Sequence, residues 1–309
     1  MKKLLIALLV VIGACSAKAQ AGKISTENMA VLKEFEDTLG LCGFLVITDS
    51  LPDERFAACK KMITTLVKTL KTENSFHYPF ERLKTVSILY PPDSTFRIFT
   101  WQLYVDVDDY RYYGAIQMNT KDLKLIPLID RSAEVDAVEN DILQPDKWYG
   151  ALYYNIRQFD TSVGRKYLLF GFDGFSFFNK RKLIDVLNLQ DGKATFGAPV
   201  FVEEDSITGA TTVRNRIMKE YSAEASVRLN YDEAYNMIIF DHLTAMAGTS
   251  GQGMAMVPDG TYEGFIFQNG RWQWVDKIWN QTMDEAPRPE PVLDSGKDVF
   301  GKNKKGKER

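Results

Sequence analysis

The chain has 309 residues, of which 45% are apolar and 12% aromatic, enough for a large core and incompatible with wholesale disorder. Its net charge of −3 gives no electrostatic footprint for nucleic acid. Only two histidines, His77 and His242, are present, which narrows the scope for a multi-histidine metal centre or a histidine-based triad.

Residues 1–19 carry Lys2 and Lys3, an apolar run over 4–12, and then small residues. This is the layout of a secretory signal peptide, and the run is too short to span a bilayer. Ala17-Lys18-Ala19 before Gln20 fits an A-x-A cleavage site, while Ile12-Gly13-Ala14-Cys15 offers a lipobox that would leave Cys15 lipidated. The mature chain is thus expected to be exported, periplasmic or extracellular, with no transmembrane helix and with a lipid anchor as the alternative. Either route leaves Cys42 and Cys59 as a pair for a disulfide in an oxidising compartment; two buried free thiols are the other outcome.

Residues 20–75 read as a helical hairpin. Ser25 and Thr26 supply a cap, and Met29, Leu32, Phe35 and Leu39 recur at helical spacing. After a turn holding Pro52, Phe56, Cys59, Ile63, Leu66 and Leu70 form a second apolar stripe. The two cysteines lie at similar distances from that turn, so a bridge is feasible.

From residue 76 to 279 the period falls from 3.6 to 2. Strands are expected over 84–90, 96–105, 110–118, 124–129, 148–157, 166–172, 182–190, 194–202, 213–221, 225–231, 237–242, 262–268 and 271–276. Asp173-Gly174, Asp191-Gly192 and above all Asn269-Gly270 punctuate them as turns. Residues 131–144 alone read as helix-like. The expectation is a mainly β domain with an N-terminal helical hairpin: an antiparallel multi-stranded sandwich or barrel, or a propeller-like array. An echo of Tyr113-Gly114-Ala115 at Tyr149-Gly150-Ala151 finds no third copy on the same period, so it reads as recurring hairpin chemistry rather than blades. Gly114 and Gly150 read as places where a backbone or a large ring approaches a strand closely. Residues 280–309, rich in Pro, Gly and Lys, read as a disordered tail.

Several clusters could carry chemistry. Asp106, Asp108 and Asp109 form an acidic turn whose oxygens could hold Ca²⁺, although hairpin turns favour aspartate in any case. Asp241, His242 and Ser250 are the residues nearest to a hydrolase set. Gln252 breaks the G-x-S-x-G pattern, however, and leaves a flexible loop with a structural histidine as the alternative. Glu203, Glu204 and Asp205 could furnish paired acids for glycoside hydrolysis, at a separation the sequence does not specify. Trp101, Tyr104, Tyr112, Tyr113, Trp148, Tyr149, Tyr153 and Tyr154 put aromatics on both faces of period-2 strands, so a second layer or a binding surface must cover one face.

KWYGALYYNI, KYLLFGFDG and VPDGTYEGF, behind a leader ending in A-x-A-Gln, resemble the β-rich exported proteins of unknown function common in Bacteroidota. That resemblance implies fold class and compartment only. The leading functional expectation is a non-catalytic envelope or periplasmic protein that binds a protein or glycan partner and needs no cofactor. The alternative is a carboxylate-dependent hydrolase, possible on glycans.

Overall fold

The computed structural model describes residues 22–190, 192–205, 208–248 and 253–279. The leader over 1–19, Cys15, Ser250 and the tail over 280–309 lie outside the described residues.

Two helices open the fold, α1 (Thr26–Thr48) and α2 (Pro52–Leu70). The Ser25 hydroxyl accepts the Asn28 N–H at 3.1 Å and caps α1, while Pro52 starts α2 where no intrahelical donor is needed. The expected stripes face inward: Leu32, Leu39, Cys59, Leu66 and Leu70 are buried. Cys42 and Cys59 are both buried free thiols.

The first sheet is an antiparallel meander of β1 (Ser87–Leu89), β2 (Phe96–Asp106), β3 (Asp109–Met118) and β4 (Leu125–Ile129). The chain then builds β5 (Leu152–Thr161), β6 (Gly164–Asp173), β7 (Asn179–Gln190) and β8 (Lys193–Phe196) of a second sheet. It crosses to a third sheet for β9 (Phe201–Glu204) and β10 (Thr211–Arg214), then returns to the second for β11 (Ile217–Ser222). It ends in the third sheet with β12 (Leu229–Asp232), β13 (Met237–Ala247), β14 (Met254–Gln268) and β15 (Arg271–Val275).

The layers stack as helices, first sheet, second sheet, third sheet. Phe99, Trp101 and Leu103 of β2 pack on Leu39, Met62 and Leu66 of the helices. Phe96 and Ile98, on the opposite face of the same strand, pack with Tyr167, Leu169 and Leu183 of the second sheet. The other face of that sheet puts Phe170, Ile184 and Val186 against Phe240, Phe265 and Trp272 of the third. Both faces of the aromatic β2–β3 hairpin are therefore covered, and the fold is a mainly β, sandwich-like stack in which, among the described residues, no sheet closes into a barrel.

Four local expectations change. Residues 131–144 do not form an α-helix. Asp130 accepts the backbone and hydroxyl of Ser132, and the Glu139 carbonyl accepts the N–H groups of Asn215 and Arg216. The segment is instead an irregular strap, with a short 3-10 turn over Ser132–Glu134 and a further turn closed on the Ala137 carbonyl, held over the edge of the second and third sheets by the Glu139 contacts. The single strand expected over 194–202 breaks at Gly197, whose φ of +101° is outside the range of other residues. That expected over 213–221 breaks where Arg216 turns inward to the buried Asp185, 2.9 Å away. Finally, pairing is not wholly antiparallel, because β15 runs parallel to β9.

Candidate functional site

A cleft of about 660 Å³ opens where the β3 and β4 ends of the first sheet meet the second sheet. Its size falls within the range of small-ligand sites, about 300–1,000 Å³. Tyr112 comes from β3, Asp130 and Arg131 follow β4, Tyr149 precedes β5, Asp173 ends β6, and Arg181 lies in β7.

Asp173 is the buried acid of the cleft. Its Oδ1 accepts the Tyr112 hydroxyl at 3.1 Å and the Phe175 N–H at 2.9 Å; its Oδ2 accepts the Tyr149 hydroxyl at 2.7 Å. Burial pushes its carboxyl above the usual carboxylate range, against the pull of these donors and of the Arg181 charge. Tyr112 and Tyr149 are raised in turn, first by burial and then by the Asp173 charge. Both tyrosines thus stay neutral donors. Asp130 is engaged as well, taking the Tyr112 N–H at 2.9 Å and Ser132 at 3.0 and 2.6 Å.

Arg181 closes one side. It donates to the Tyr149 hydroxyl at 3.1 Å, pairs with Glu220 at 2.8 Å, and lies 3.3 Å from the centre of the Phe175 ring. Phe175 holds a φ of +43°, a conformation that costs a bulky residue free energy and recurs at ligand clamps. The chain next to it leaves Phe177 62% exposed.

The acidic turn borders this cleft. Asp108 and Asp109 line it, and Asp108 Oδ1 accepts the Phe177 N–H at 2.7 Å, tying the β2–β3 turn to the β6–β7 loop. Asp106 Oδ1 accepts its neighbour Val107 N–H at 2.8 Å. Among the described residues no three His, Cys, Asp or Glu side chains converge as a metal site.

Asp241 and His242 serve different partners. The buried Asp241 carboxylate accepts the Arg228 N–H. His242 instead meets Asp259 through Nδ1 at 2.7 Å and Glu263 through Nε2 at 3.6 Å. Glu203 lines a smaller cavity of about 290 Å³ and pairs with Arg214 at 2.5 Å. Sequence reading misses the site's centre. Asp173 reads there as half of a turn signal, and Asp130 and Arg181 carry no pattern. The aromatic density around Tyr112 and Tyr149 and the acidic turn at Asp108 and Asp109 point to the place. Among the described residues no helix is long and apolar enough to cross a membrane.

No protein-family model, curated protein or solved structure matches the chain.

Proposed function

We propose that the protein is an exported, non-catalytic envelope protein that binds a glycan in the cleft around Asp173. The observation that carries this reading is the state of the two central acids. Every oxygen of Asp130 and Asp173 already accepts a hydrogen bond from the protein, so these carboxylates orient tyrosines rather than face the void as acid and base. What remains for a ligand is the surface of Tyr110, Tyr113 and Phe175, rimmed by the exposed Arg111 and Arg131 and by Asp108, Asp109 and Glu134. A sugar offers the complement, an apolar C–H face edged by hydroxyl groups that both donate and accept.

One observation favours hydrolysis as the second reading: a carboxyl held above its ordinary pKa in a cleft is the property of a general acid. A single preparation separates the two. Calorimetry with neutral cello-, chito- and malto-oligosaccharides is expected to show binding that weakens about tenfold in Tyr149→Phe and in Arg181→Ala, a loss of about 1.4 kcal/mol. Chromatography of the same mixtures is expected to show the saccharides intact. Products that vanish in Asp173→Asn would establish the hydrolase instead, and no binding from any of the three series overturns the glycan reading.

A further inference from the structure

The cleft around Asp173 does not end at Arg181. A second cavity of about 400 Å³ lies on the far side of that guanidinium, which lines both and bridges Tyr149 of the first to Glu220 of the second. The second cavity in turn shares Glu139 and Met218 with the third, of about 290 Å³, where Trp274 and Lys219 stand.

One wall runs the whole way. The strap contributes residues 130–134 to the first cavity, 136–140 to the second and Glu139 to the third, so the three follow one another along one continuous stretch of chain. The strap is fixed in that position: Glu139 accepts the Met218 N–H at 2.9 Å, and its carbonyl accepts two N–H groups from the β10–β11 connection. Carboxylates outnumber arginine and lysine side chains two to one along this lining. An anionic polymer would be repelled there.

From this arrangement we infer that the ligand is an extended, uncharged oligosaccharide lying along the strap through all three cavities, with its first units at Asp173 and later units toward Trp274. The inference rests on the glycan reading of the first cleft and adds the length, direction and charge of the ligand.

The test is a length series of the neutral saccharides, from two units to six, titrated into the full chain. Affinity is expected to climb at least tenfold from dimer to hexamer. Ala137→Trp fills the second cavity from an exposed position on the strap and is expected to flatten the climb. Met218→Trp, which fills the junction of the second and third cavities, serves as an independent variant. Hexagalacturonate is expected to bind at least tenfold more weakly than the neutral hexamers. Equal affinity at every length would overturn the extended groove while leaving the single-cleft reading intact. Tighter binding of the acidic hexamer would overturn the charge assignment. Silence from every saccharide at every length would instead remove the glycan reading itself.

Discussion

Gly150 is the residue on which the cleft closes. A Cβ there would stand 2.5 Å from the Asp130 carboxyl carbon and 2.6 Å from the Tyr112 Cβ, so Gly150→Ala must push the first sheet away from the second. The expected cost is about 1–3 kcal/mol, read from urea unfolding, with Tyr112 displaced from Asp173. Tyr149→Phe removes one of three donors to a buried carboxylate and is expected to cost about 1.5–3 kcal/mol by the same measurement. Little of this was legible in the sequence. Tyr149-Gly150 stands out as an echo of Tyr113-Gly114, and close approach at the glycine follows from its lacking a Cβ. What approaches, however, is Asp130, twenty residues upstream, and no local pattern announces such a contact. Asp173 is hidden for a related reason: Asp-Gly satisfies turn chemistry whether or not the carboxylate is also buried among tyrosines.

Elements whose geometry is set by their own residues were the readable ones. Asn269 and Gly270, at φ of +51° and +76°, make the two-residue turn their types demand, with Gln268 opposite Arg271. The strap over 131–144 misled because its spacing is loosely helical, whereas Glu139 at its middle takes hydrogen bonds from Asn215, Arg216 and Met218, more than seventy positions away. A second tie of this kind joins the β1–β2 turn to β6. Burial by itself would raise the Asp93 carboxyl, but hydrogen bonds from Tyr167 at 2.8 Å, Thr95 at 2.9 Å and Arg165 at 3.1 Å outweigh it and hold the carboxyl below the ordinary value. A carboxyl depressed on folding stabilises the folded state above its unfolded pKa of about 3.9, and that contribution fades as pH falls through the folded value. The stability difference between the wild type and Asp93→Asn is therefore expected to be largest near neutrality and to shrink in acid. A difference that stays constant from pH 6 to pH 2 in urea titrations would show that the tie carries no charge effect.

Taken whole, the molecule is a stack in which each sheet depends on the layer beside it. The helical hairpin covers Phe99, Trp101 and Leu103, and burying each of these side chains is worth about 1.5–3 kcal/mol. A chain begun at residue 73 is thus expected to aggregate or to lose cooperative unfolding, as gel filtration and calorimetry would show; a soluble, cooperatively melting product would mean the sheets stand without the helices. The second sheet is covered on both faces, and its central strand β6 accordingly carries the apolar run Tyr167–Phe170, which announces a strand but not its neighbours. Layer order is a matter of long-range contact, and periodicity carries no information about it.

The parallel pairing of β15 with β9 has a consequence for the order in which the chain can mature. β9 and β10 join the rest of their sheet only through β15, more than sixty residues further on. As the chain emerges N-terminus first, these two strands must wait with an open edge until residues 271–275 arrive, and contacts of such separation are slow to close. The last strand therefore acts as the latch of the whole stack.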